Sequence, residues 1–278
     1  MAARERKGEW KMSISVIIGL LVAFGSIIGG FLLDEGHVQS LVVGSSFLII
    51  LGGTLGAVIL SFGFHDTLQA VRHLSASFSK KNDPDPEHLI KKISEMATKC
   101  RAEGLLSLQS MMTDSDLNSE NYMMLKEGMM LATDTKSVES LQETLNADIE
   151  SYTASRQMDI DVWEGAGGFS PTLGIIGTVM GLVQVLSNIS DAQKLTASIA
   201  VAFIATLYGI VFANIIYLPA ANHLRCCLKR QVIFRQMIVD GMSMLVSGES
   251  ARNIENKLSL YYHVFPNGEE KYKAGIEN

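Results

Sequence analysis

Four stretches of this 278-residue chain contain no Asp, Glu, Lys, Arg or His: Met12–Leu33, Leu41–Phe64, Gly165–Leu186 and Leu195–Asn222. A helix rises about 1.5 Å per residue, so roughly 20 apolar residues cross a hydrocarbon core of about 30 Å. Each stretch is long enough to do so. Helices buried inside soluble proteins are usually shorter and carry a polar stripe, which argues against a soluble core. Arg4, Arg6, Lys7 and Lys11 resemble the basic start of a signal peptide. No small-residue cleavage site follows before the second stretch, so the first is expected to remain as a span. The chain reads as an all-α integral membrane protein with four transmembrane helices in two hairpins. Any charge crossing the membrane along these helices must ride on something else.

Basic residues set the expected orientation. The turn Asp34–Ser40 has no Lys or Arg, and the turn Ser187–Lys194 has only Lys194. Arg225, Lys229, Arg230 and Arg235 directly follow span four. The positive-inside rule then places both termini and the middle segment in the cytoplasm. That segment, His65–Glu164, holds eighteen acids against ten bases, an acidic face within a chain of formal charge −6, which gives no reason to expect nucleic acid. Cys100, Cys226 and Cys227 all fall in expected cytoplasmic regions, where disulfides are rare. Cys226 and Cys227 have no His or Cys partner at ligand spacing, which favours packing or a lipid interface over metal binding or palmitoylation.

The expected layout is an N-terminal arm and first hairpin over 1–64, a helical cytoplasmic domain over 65–164, a second hairpin over 165–222, and a helical cytoplasmic tail over 223–278. After the linker Lys80–Pro86, Asp85 caps a helix with Pro86 in its first turn, running toward Met112. Leu117–Ala132 forms a Met-rich helix. A longer one starts at Thr135, with Val138, Leu141, Leu145, Ile149 and Tyr152 on one face, and runs into span three. Leu224–Val246 extends span four, Gly248 closes it, and Ala251–Tyr262 makes a last helix. No P-loop, Rossmann fingerprint, nucleophile elbow or metal cluster occurs, so no enzyme activity and no cofactor are expected.

Within the spans, Gly25 and Gly29, Gly52 and Gly56, and Gly177 and Gly181 are four apart, each pair on one helix face. With Thr54, Thr172 and Thr178 nearby they favour tight bundling or oligomerisation. Pro171 interrupts span three and Pro219 lies near the inner end of span four, each removing a backbone hydrogen bond. Thr178 lies two turns beyond Pro171 on the same face, and Thr206 sits mid-span. Their hydroxyls either bond back to their own helices or line a polar path for a hard cation, which prefers oxygen ligands.

The run Ser170-Pro171-Thr172-Leu173-Gly174-Ile175-Ile176-Gly177-Thr178-Val179-Met180-Gly181-Leu182, then Ala202–Gly209 and Asn214…Pro219, resembles the MotA/PomA family of flagellar stator ion-channel subunits. The stretch Cys100–Leu108 resembles the family's basic–Glu–Gly–Leu–Leu–Ser–Leu motif. The resemblance implies a subunit of the bacterial cytoplasmic (inner) membrane that turns cation flow into torque on a rotor. It implies a pentamer around two copies of a MotB/PomB-like, single-span, peptidoglycan-binding partner whose intramembrane Asp carries the ion. The ion path would fall to Thr178 and Thr206, coupling to Pro171 and Pro219, helix packing to Gly177 and Gly181, and contact with a FliG-like rotor protein to Arg101 and Glu103. Asp148 aligns with a further family acid if that stretch is ungapped. Gln109 departs from the pattern, standing where the family usually has Glu. Threonine at both path positions tilts the expected ion toward sodium over proton. An ExbB/TolQ-like energiser of outer-membrane processes is the alternative, but those proteins usually lack a leading hairpin such as Met12–Phe64.

Overall fold

Apolar composition and local stop signals together explain the helices of the computed structural model, which describes residues 14–78, 83–134, 137–187 and 191–266. The N-terminal arm with its basic residues, and Thr135, lie outside these. In chain order the helices are α1 (Ile14–Leu33), α2 (Gly44–Ser77), α3 (Pro86–Glu103), α4 (Leu108–Met111), α5 (Met123–Asp134), α6 (Val138–Ser187), α7 (Ala192–Val211), α8 (Leu218–Val246) and α9 (Ala251–Ser259). A wide π-turn, Phe212–Tyr217, joins α7 to α8. No strand occurs among the described residues, and four helices are long and apolar enough to cross a membrane.

The chain divides into two units, Met1–Lys80 with Gln157–Arg225, and Lys81–Arg156 with Cys226–Asn278. In the first, none of the described side chains of α1 is buried within the protomer. Helix α2 runs past Phe64 to Ser77, with extended backbone at Gly63 (φ 82°), a conformation glycine adopts without a Cβ clash. On both sides of that kink, α2 meets α6. Val58, Ala70, Val162 and Ala166 form a small core, and the Trp163 indole donates to the Ala70 carbonyl at 3.3 Å. Asp159 is only 4% exposed and lies 2.7 Å from His73 Nδ1. Burying a carboxylate without such a partner would be costly. Arg225 pairs with Glu164 at the same end of the unit.

The second unit has a larger core that includes Leu89, Ile93 and Met96 of α3, Leu125 and Met129 of α5, Leu145 of α6, Phe234 of α8 and Leu258 of α9. Asp85 caps α3 by accepting from the Glu87 and His88 amides at 3.2 Å, with Pro86 in the first turn. Helix α3 does not run on toward Met112. Gly104 (φ 82°) ends it, and a 3-10 turn, Leu105–Ser107, leads into α4. The expected helix over Leu117–Ala132 also starts late, because two 3-10 turns, Ser115–Asn118 and Glu120–Tyr122, precede α5. Asp114 caps the first of these turns through the Asp116 amide. The last helix ends at Ser259 and tightens into the 3-10 turn Leu260–Val264. Gly248 (φ 79°) closes α8 as its sequence position suggested.

Among the described residues of this unit, one charged side chain is buried. Lys92 is 6% exposed, and its ammonium lies 2.6 Å from Asp114 and 3.7 Å from Asp116. It therefore fastens the 3-10 turn to α3. Arg235 similarly meets Asp148 at 2.6 Å and lies over the Tyr152 ring, 3.8 Å from its centroid.

Candidate functional site

Spans three and four approach closely because both put small residues on the shared face. On α6 that face repeats Ser170, Gly174, Gly177, Thr178 and Gly181, and on α7 Ala202, Ala205, Thr206 and Gly209. A Cβ added to Gly177 would stand 2.5 Å from the Ala205 Cβ, and one on Gly181 2.6 Å from the Ala202 Cβ. A Cβ on Gly174 would stand 3.1 Å from the Thr206 Cα, and one on Gly209 2.6 Å from the Ser170 carbonyl oxygen. The pair Gly177–Gly181 therefore packs against span four within the protomer. Gly25, Gly29 and Gly56 have nothing within 4 Å of such a Cβ, and Gly52 only Leu48 of its own helix, so these two pairs make no close helix contact inside the protomer.

This closeness brings Thr178 and Thr206 together. Their hydroxyls contact each other directly. Thr178 Oγ1 is also 3.1 Å from the Gly174 carbonyl and 3.2 Å from that of Ala202, and Thr206 Oγ1 is 3.3 Å from the Gly174 carbonyl. Four neutral oxygens from two helices thus converge. Thr178 bonds back to its own helix and also reaches across to span four. Two hydroxyl protons are shared among these four oxygens. Nothing in this cluster titrates.

The prolines bracket the same contact. Pro171 lies inside α6, and in a helix its ring leaves the carbonyl four residues earlier, that of Gly167, without a donor. A Cβ on Gly167 would lie 2.6 Å from the Leu218 side chain, next to Pro219, so the two proline turns meet. The π-turn just before Pro219 widens the helix where the proline ring would otherwise clash with a carbonyl. Ser170, fully buried, donates to the Gly209 carbonyl at 3.0 Å. Sequence reasoning missed this tie, although Ser170 shares the helical face of Gly174 and immediately precedes Pro171. Thr172 is exposed and bonds back to the Phe169 carbonyl, taking no part in the close contact.

Arg101 and Glu103 lie in the second unit, exposed in the last turn of α3 with Gln109 exposed nearby in sequence on α4. Burial pushes the Cys100 thiol above its ordinary value. All three cysteines are free, and no group of His, Cys, Asp and Glu able to hold a metal occurs among the described residues.

Residues 116–237 match the model of the MotA/TolQ/ExbB proton channel family, and residues 17–104 match that of the motility protein A N-terminal region. Motility protein A of Bacillus subtilis (strain 168) is 30% identical over 250 residues, 90% of this chain and 91% of that protein. The chain belongs to the MotA/PomA family. Chemotaxis protein PomA of Vibrio alginolyticus is likewise 30% identical, over 90% of this chain and 95% of its own. The solved MotAB of C. jejuni superimposes with a TM-score of 0.82 at 27% identity, covering 90% of this chain and 96% of that one. A flagellar MotAB stator complex from Bacillus subtilis gives 0.82 at 29%, covering 92% and 98%. The chain is a MotA-type stator subunit of the bacterial flagellar motor. The N-terminal match spans both helices of the leading hairpin.

Proposed function

We propose that this chain lies in the bacterial inner membrane with both termini cytoplasmic and works with a MotB/PomB-like single-span partner. The partner's intramembrane Asp carries the cation, and its peptidoglycan-binding part anchors the assembly. The solved MotAB complexes of relatives support this pairing, as does the absence of any Asp, Glu, Lys, Arg or His in the four spans. An ion-conducting membrane protein needs an ionisable or coordinating group on its path. Five copies of this chain surround two of the partner, in contact with membrane lipid, and no cofactor or catalytic step is involved.

Thr178 and Thr206 line the ion path. Their convergence with the Gly174 and Ala202 carbonyls carries this reading. Four neutral oxygens can replace part of the hydration shell of a hard monovalent cation, whereas proton transfer to a carboxylate needs no such cage. This favours sodium over proton as the transported ion. Pro171 and Pro219 couple its passage to movement, and Arg101 with Glu103 meets a FliG-like rotor protein. Swimming of a deletion strain complemented with this chain and its partner tests the ion. Speed that tracks external sodium at fixed pH supports the proposal, and undiminished motility in sodium-free medium overturns the choice of sodium.

A further inference from the structure

Small residues let α6 and α7 come close, and the Ser170–Gly209 hydrogen bond ties them near the prolines. A tie from α7 to a third helix adds to what holds Thr206 in line with Thr178. Tyr208 lies two residues beyond Thr206, about 200° further around the helix. Thr206 faces α6, whereas Tyr208 reaches the bend that leads into α2.

The Tyr208 phenol engages both sides of that bend. It donates to the Leu41 carbonyl at 2.5 Å and accepts from the Val43 amide at 3.3 Å. Val43 is the N-cap of α2 and offers no side-chain cap of its own. The first amides of a helix lack partners within it, so the phenol does from another helix what a capping side chain ordinarily does. The ring packs in a cluster with Phe47 and Phe212, its centroid 6.1 Å from each. Ser46 adds a second tie between the same helices by donating to the Val201 carbonyl at 3.1 Å.

We infer that Tyr208 is a positioning residue. It fixes the rotation and height of α7 against α2, and through them the alignment of Thr206 with Thr178. The inference rests on the reading of that threonine pair as the ion path.

Swimming speed against external sodium, in strains carrying Tyr208→Phe, Thr178→Ala or both, tests it. The half-saturating concentration does not depend on how much stator the membrane holds, so poor folding alone does not move it. Tyr208→Phe keeps the ring and loses both hydrogen bonds, and is expected to raise half-saturation by about threefold or more. The double variant is expected to match Thr178→Ala alone, because Tyr208 acts through the pair. If Thr178→Ala shifts half-saturation and Tyr208→Phe does not, or if the two effects multiply, the positioning role is overturned and the path reading stands. If Thr178→Ala leaves it unmoved, the path reading fails and the inference falls with it.

Discussion

Ser170 donates its buried hydroxyl to the backbone carbonyl of Gly209 at 3.0 Å, tying the residue before Pro171 to the residue that leads span four toward its π-turn. The contact leaves no room for a side chain at Gly209, where a Cβ would lie 2.6 Å from the Ser170 carbonyl oxygen.

Gly209→Ala is therefore expected to destabilise the protein by about 1–3 kcal/mol, because the obstructing atom belongs to a backbone that cannot turn aside. Gly177→Ala meets a neighbouring Cβ at 2.5 Å and is expected to behave alike. Gly56→Ala, in open space within the protomer, is expected to leave the isolated chain as stable as before. Protein remaining soluble after heating in detergent checks the order. A Gly56→Ala as damaging as Gly209→Ala would contradict it.

The Lys92–Asp114 pair gives a pH dependence. The hydrogen bond from Lys92, then that from the Asp116 amide, holds the Asp114 carboxyl below its ordinary 3.8. A carboxyl depressed in the folded state contributes stability that is fully present above its unfolded value and is lost as pH falls through the folded one. Wild type is expected to melt above Asp114→Asn by a constant margin down to about pH 5, a margin that closes below the ordinary carboxylate value. Melting curves of the two proteins from neutral to acid pH read this directly. A margin independent of pH would show that the charge does not matter.

Rotor contact is tested by charge. Arg101 is exposed at the end of α3, and Gln109 is an exposed neutral amide on α4. Reversing a charge alters long-range attraction to a charged surface, whereas truncating an amide removes only local hydrogen bonding. Arg101→Glu is expected to slow swimming more than Gln109→Ala. Equal speeds in the two strains would refute this.

Thr178→Ala removes one of the four converging oxygens and the hydrogen bonds that run from Thr178 to Gly174 and Ala202. It is expected to weaken the dependence of swimming speed on external sodium, measured at constant pH.

Much of this architecture was legible in the sequence, because its strongest signals are local. Charge-free length marks the spans, Asp85 and Pro86 mark the start of α3, and Gly248 marks the end of α8. Gly104 is as local a signal, but an apolar pattern on both sides hid the stop. The late start of α5 depends on Asp114, whose role follows from its pairing with Lys92, a contact 22 residues apart in sequence. Which glycine pairs make contact was equally hidden. Gly177 and Gly181 meet alanines on the facing helix, while Gly25 and Gly29 carry the same spacing and meet nothing within the protomer. Spacing along one helix says which residues share a face, but not what that face meets. The meeting of Thr178 with Thr206 was legible only as two hydroxyls at similar depth, and Tyr208 gave no sequence signal beyond its place in the motif.

In the proposed arrangement this chain forms the charge-free wall of the path and its partner supplies the ion-carrying carboxylate. Cation uptake into vesicles containing this chain alone, or this chain with its single-span partner, tests that most directly. Uptake is expected only when both are present, and is expected to disappear when the partner's intramembrane Asp is changed to Asn. Uptake through this chain alone, or uptake that survives that change, would contradict the account.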